Sequence, residues 1–143
     1  MLAEAKRRGV PHLVAADGMR LPVADGVFDT VTIAFGLRNM ASWAGAAREM
    51  ARVLRPGGHL VVLDFSLPGG PLRAGYRFYL HRILPRLAGW ITRQRAAYEY
   101  LAESIESFPA GQAMVALLME NGFVRAAVRP LTGGIASIYV ADR

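Results

Sequence analysis

Arg38 and Asn39 stand side by side three and four positions after Phe35, which closes an alternating apolar run beginning at Phe28. A guanidinium fixed at such a point can stabilise a developing anion, and the neighbouring amide can orient a hydroxyl or a relaying water. The plainer alternative is a turn whose arginine pairs with a surface carboxylate. Asp17, followed by Gly18, offers an acceptor carboxylate at the end of a short apolar segment, although an isolated Asp there more often simply forms a turn. Ala34 and Phe35 fall at the carboxyl edge of their run, where doubly wound sheets bind ligands, and Phe35 reads equally well as core. Tyr98 and Tyr100 either line a pocket or anchor their helix. His81, a lone histidine among arginines, reads as a surface residue. There is no cysteine, so no thiol chemistry, disulfide or thiolate metal site is available.

These residues need elements to position them. Residues 1–9 read as the end of a helix stopped by Gly9, and His12 to Ala16 as a short strand leading into Asp17. From Phe28 to Phe35, Val31 and Ile33 alternate with Thr30 and Thr32, which predicts a strand. Ser42 can cap a helix in which Trp43, Ala47, Met50, Ala51 and Leu54 recur at helical spacing, and Arg55-Pro56-Gly57-Gly58 ends it. The continuous apolar run Leu60 to Leu63 predicts a strand covered on both faces, delivering Asp64, Phe65 and Ser66 to its edge. After Pro68 to Pro71 come helices reaching to about Gly89 and from about Gln94 to Phe108, with Pro85 as a break. Pro109 is expected to open a helix bearing Met114, Leu117 and Leu118, which Asn121-Gly122 ends. Strands Phe123 to Leu131 and Ile135 to Ala141 are joined at Thr132-Gly133-Gly134 as an antiparallel pair.

At 143 residues the chain fits one globular domain, and no run approaches the ~20 apolar residues that span a bilayer. A soluble cytoplasmic protein is the expectation. The net charge of +6 rests almost wholly on arginine, since Lys6 is the sole lysine. No acidic residue falls between Phe65 and Tyr98, where Arg73, Arg77, Arg82, Arg86, Arg93 and Arg95 are interleaved with aromatic and aliphatic side chains. That segment suits either a lid with a solvated basic face or contact with anionic lipid. Nucleic acid is not an expected partner, because no recognition module accompanies the charge.

Several segments together resemble a known family. Ala16-Asp17-Gly18, Leu21-Pro22, Asp25 and Phe28-Asp29 are similar to the stretch around the third and fourth strands of class I methyltransferases. Phe35-Gly36-Leu37-Arg38-Asn39 looks like the turn specific to the ubiquinone/menaquinone biosynthesis C-methyltransferases. The run from Arg52 through Gly58 to Asp64-Phe65-Ser66 is similar to the same family's signature, with Asp64 where the pattern has Glu. Tyr98 to Ile105 resembles the helix that the family places over its quinol pocket.

The resemblance implies an α/β fold: a Rossmann-like class I methyltransferase sheet, here lacking its first two strands, with a C-terminal antiparallel strand pair. It implies one partial methyltransferase domain over 1–143 in which 68–108 is a helical lid inserted over the substrate. The implied activity is S-adenosylmethionine-dependent C-methylation of a prenylated quinol. Arg38 and Asn39 would be catalytic, Asp17, Gly18, Ala34 and Phe35 would bind S-adenosylmethionine, and Tyr98 and Tyr100 would bind the acceptor. No metal is implied. No glycine pair of the chain combines a preceding strand with the spacing of a cofactor loop and a following helix. The chain is therefore expected to be part of a longer enzyme, or else a short non-catalytic binding or partner subunit, with strand exchange or homo-oligomer formation rebuilding the sheet. By itself it is expected to hold the cofactor weakly.

Overall fold

The computed structural model describes residues 2–84 and 95–143, the side chains of 95–99 excepted. Helix α1 (Leu2–Arg7) is followed by strand β1 (Phe28–Ala34), a 3-10 turn (Leu37–Asn39), helix α2 (Trp43–Val53) and strand β2 (Leu54–Phe65). Next come helices α3 (Leu72–Phe78), α4 (Arg95–Ser107) and α5 (Gln112–Glu120), then strands β3 (Arg125–Leu131) and β4 (Ala136–Asp142). The sheet runs β1-β2-β4-β3, with β1 parallel to β2 and the other two pairings antiparallel. The C-terminal hairpin is thus present, with β4 inserted between β2 and β3.

Local chemistry accounts for these elements. The Ser42 hydroxyl accepts a hydrogen bond from the Gly45 amide at 3.0 Å and satisfies an otherwise orphaned donor at the start of α2. The helix buries Ala46, Ala47, Met50, Ala51 and Val53. In β2, Leu60, Val62 and Asp64 are fully buried on one face, where Leu60 and Val62 share a core with Met114 and Leu118 of α5. Val31 and Ile33 pack against the same core while Thr30 and Thr32 stay exposed, as the alternation predicts. Tyr139 of β4 is 1% exposed, and its hydroxyl accepts from the Gly111 amide, so the largest core side chain leaves no polar group unpaired.

Several expectations need correction. His12 to Ala16 forms no strand; the segment holds only an isolated bridge between Asp17 and Arg20. Among the described residues no strand lies beside it to take its backbone hydrogen bonds, and a strand without a partner is not stable. Leu54 begins β2 rather than ending α2, because Arg55-Pro56-Gly57-Gly58 is accommodated as an irregularity within the strand, where the register against β1 slips between Phe28 and Thr30. The sheet is not covered equally: Val61, Leu63 and Phe65, on the face of β2 opposite to Leu60, are only half-buried. The last helix opens at Gln112, after a Gly111 with φ of 61°, and not at Pro109. Thr132–Gly134 forms a 3-10 turn.

Helix α3 runs on into a single π-helical turn, Tyr79–Ile83. The expected break at Pro85, the helix end near Gly89 and the arginines Arg86 and Arg93 lie outside the described residues. Leu80, Ala102 and Ile105 form a second small cluster with Phe65, Leu67, Tyr76, Leu84 and Leu101, which seats α3 and α4 over the carboxyl end of β2. Among the described residues no helix is long and apolar enough to cross a membrane.

Candidate functional site

The carboxyl ends of β1 and β2 lie side by side, and the turn after β1 folds back over both. Phe35 leaves the strand with φ of 54°, while its amide still donates to the Leu63 carbonyl at 2.8 Å. That conformation costs a non-glycine residue on the order of 1–3 kcal/mol and persists only where the surroundings over-determine it. They do so here: the Phe35 carbonyl accepts from Arg38 Nη1 at 3.0 Å and from Asn39 Nδ2 at 3.3 Å. The fully buried Leu37 pins the turn to the core.

Asp64 organises this turn. Its Oδ1 accepts from Arg38 Nη1 at 2.5 Å and from the Phe65 amide at 2.9 Å, and its Oδ2 faces the Arg38 amide at 3.3 Å. The Asp64 side chain is 0% exposed and that of Arg38 10%. The guanidinium also lies 5.2 Å from the centroid of the Phe65 ring, which packs against Phe35 at 4.7 Å. Arg38 Nε is buried with no hydrogen-bond partner among the described residues. The carboxylate that pairs with Arg38 is therefore not at the surface, contrary to the plainer reading, but beneath the turn. Such a pair fixes geometry rather than adding much stability, because desolvation offsets most of its attraction.

Asn39 is exposed and connects the turn to the overlying helix, since its Oδ1 accepts from the Tyr100 hydroxyl of α4 at 3.1 Å. Tyr100, 55% exposed, is no core anchor. Tyr98 lies on α4, and its side chain is outside the described residues. Phe35 is 40% exposed and so is not core either.

Asp17 and Gly18 approach the same region through Met40. A Cβ on Gly18 would fall 2.5 Å from Met40 Cε, so this loop packs directly behind Arg38 and Asn39. The Asp17 carboxylate is exposed and accepts from the Met19 amide at 2.9 Å, a local turn that holds it at the surface. Farther along, the Leu21 amide donates to Glu49 of α2 at 2.6 Å, and Arg52 reaches both Asp25 and the Leu21 carbonyl. The hydrogen bond from Arg52 lowers the Glu49 carboxyl to about 2. Asp29 pairs with Arg55 at 2.6 Å, a contact that only joins neighbouring strands.

Two features eluded sequence reasoning. The role of Asp64 emerges only when β2 is laid beside β1. Its visible signal was a carboxylate ending a wholly apolar run. Glu49 carries no local signal of its own, yet it anchors the loop carrying Asp17 and Gly18 through the Leu21 amide. His81 is a surface residue as expected; with Arg77 it meets Glu106 of α4, whose carboxyl lies below its ordinary value chiefly through the His81 hydrogen bond. Among the described residues no group of histidine and carboxylate side chains could hold a metal.

The sheet order, with one parallel pair and β4 inserted antiparallel between β2 and β3, is that of a class I methyltransferase fold. An S-adenosylmethionine-dependent methyltransferase of Thermotoga maritima superposes on 98% of the chain and 67% of its own length with a TM-score of 0.68, at 16% identity. Residues 3–143 match the model of the ubiE/COQ5 methyltransferase family, and the chain belongs to that family. A demethylmenaquinone methyltransferase of Mycolicibacterium paratuberculosis is 49% identical over 144 residues, covering 100% of this chain and 62% of that protein. One of Thermus thermophilus is 48% identical over 150 residues, covering 100% and 67%. The chain thus spans about three-fifths of the length of the first of these relatives.

Proposed function

We propose that this chain carries the acceptor side of an S-adenosylmethionine-dependent C-methyltransferase acting on a prenylated quinol, demethylmenaquinol being the acceptor that the relatives' names favour. The observation that carries the reading is the turn Phe35 to Asn39, with Arg38 seated on a buried Asp64 at the carboxyl edge of the sheet. When bound, S-adenosylmethionine supplies an electrophilic methyl group on a sulfonium sulfur. The acceptor's ring carbon would take that methyl and give up its own proton, so the residues of this chain would have to hold the adjacent ring oxygen and direct the proton away. Arg38 would stabilise the anion on the adjacent ring oxygen, and Asn39 would orient that hydroxyl or the water that receives the proton. Tyr100, already bonded to Asn39, and Tyr98 on the same helix would close over the ring.

The residues present fit two ends of the cofactor. The Asp17 carboxylate, exposed and held by the Met19 amide, could accept from the amino group of a flat ring, while Gly18, packed against Met40, keeps its loop close to the turn. At the other end, both polar backbone atoms of Phe35 are already engaged, so Ala34 and the Phe35 ring are what remain for the methionine part.

A prenylated acceptor resides in a membrane. Leu72, Phe78, Tyr79 and Ile83 are exposed beside Arg73, Arg77 and Arg82, which favours peripheral contact with anionic lipid from the cytoplasmic side. The outer edge of β1, unpaired among the described residues, favours strand exchange or a second copy as the alternative role of a non-catalytic subunit. The test is transfer of labelled methyl from millimolar S-adenosylmethionine to demethylmenaquinol, with calorimetric titration of 1,4-naphthohydroquinone in parallel. Quinol binding that collapses in Arg38→Ala supports the reading. Absence of transfer together with quinol binding indifferent to Arg38→Ala refutes it.

A further inference from the structure

Gly75, in the middle of α3, has no steric reason to be glycine. Its backbone is helical, and an added Cβ would meet nothing within 4 Å. A glycine inside a helix costs roughly 0.5–1 kcal/mol relative to alanine. The other helical glycine among the described residues, Gly45, differs: its Cβ would lie 3.2 Å from Ser42 Oγ and 3.6 Å from the Met19 sulfur. What adjoins Gly75 is empty space, a cavity of about 320 Å³ bordered also by Pro68, Leu72, Tyr76, Gly133 and Ile135.

Tyr76 and Ile135 are shared with a second cavity of about 480 Å³, which extends to Phe65, Leu80, Leu101 and Ile105. Phe65 is the ring beneath Arg38 and against Phe35, so this cavity ends at the site described above. The first cavity ends at Leu72, which is 65% exposed. Among the described residues no charged side chain lines either one, and the side-chain polar groups on their walls are the hydroxyls of Tyr76, Tyr79 and Thr132. Burial raises the Tyr76 phenol above its ordinary value and keeps it neutral. An elongated, uncharged, apolar ligand entering at the surface and reaching the sheet edge matches both the shape and the chemistry.

We propose that the two cavities form one passage that takes the isoprenoid tail of the acceptor, with Tyr76 and Ile135 as its waist and Gly75 leaving the bore open. The proposal rests on the quinol reading for the identity of the tail, while the passage itself is argued from the cavities and from Gly75.

Equilibrium dialysis of the full chain against radiolabelled farnesol, an isoprenoid alcohol with no quinone ring, tests it. The unaltered chain should bind farnesol, and Gly75→Leu should weaken binding at least tenfold while far-UV circular dichroism stays unchanged. A Cβ at this position meets no described atom within 4 Å, and the substitution removes a helix-disfavouring residue. Gly75→Ala, still milder, should give an intermediate loss. Photocrosslinking with a diazirine analogue of farnesol should label Tyr76 or Ile135. No farnesol binding, equal affinity in Gly75→Leu, or labelling elsewhere overturns the passage. Calorimetric titration of unprenylated 1,4-naphthohydroquinone into the unaltered chain and Arg38→Ala reports separately on the acceptor reading. Quinol binding indifferent to Arg38→Ala with farnesol binding intact removes that reading and leaves the passage, and the converse removes the passage alone.

Discussion

Replacing Asp64 by alanine should be among the most damaging single changes to this chain. The substitution withdraws the partner of a guanidinium that is only 10% exposed, and it frees the Arg38 and Phe65 amides that face the same carboxylate. Breaking a buried pair by removing one member costs about 3–5 kcal/mol, since an uncompensated charge stays behind. With a urea m-value of about 2 kcal/mol/M, a loss of about 4 kcal/mol moves the unfolding midpoint down by about 2 M. Against a total stability of about 5–15 kcal/mol, that is a large share. Removing both charges should be gentler: Arg38→Met with Asp64→Leu leaves no orphaned ion and should be more stable than Asp64→Ala alone. The assay is equilibrium urea unfolding followed by far-UV circular dichroism on the two single variants and the double variant. A loss under about 1 kcal/mol for Asp64→Ala, or a double variant no better than the singles, would show that the pair is solvated and that Asp64 does not hold the turn.

Three other outcomes follow from the same structure. Glu49 has its folded-state pKa depressed to about 2 against an ordinary 4.5, so its contribution is complete above pH 4.5 and is lost as pH falls towards 2; Glu49→Gln should flatten the stability loss in that window, and identical pH slopes in urea titrations would contradict it. A Cβ at Gly58 would lie 2.9 Å from the Arg55 carbonyl and 3.0 Å from that of Asp29, whereas at Gly18 the 2.5 Å contact is with the mobile end of Met40; Gly58→Ala should therefore lower the melting temperature by several degrees more than Gly18→Ala does. Ser42→Ala removes the cap of α2 and should cost about 1 kcal/mol, read from the denaturant midpoint, with Ser42→Gly closer to the original.

Elements whose signals are local could be read without the structure. The alternation at Val31 and Ile33, the cap at Ser42 with the stripe through Met50, and the apolar run Leu60 to Leu63 each report a periodicity that the backbone imposes on nearby residues. The terminal hairpin was equally visible, because glycines with positive φ mark its turn. His12 to Ala16 misled: its composition suits a strand, but a strand exists only through a neighbour, and none of the described residues provides one.

The same division holds at the site. The family resemblance made Arg38, Asn39, Asp17, Gly18, Ala34 and Phe35 the candidates, and residues 3–143 match that family. The tertiary structure decided how they are held. Asp64 is 26 positions from Arg38, and only the parallel pairing of β1 with β2 brings its carboxylate to 2.5 Å from the guanidinium. Tyr100 meets Asn39 across 61 positions because α4 is seated over the sheet edge by Leu80, Ala102 and Ile105. Residue types and their short-range periods are carried by the chain itself. Which charge faces which, and what space is left open above Gly75, depend on how the sheet and helices pack together.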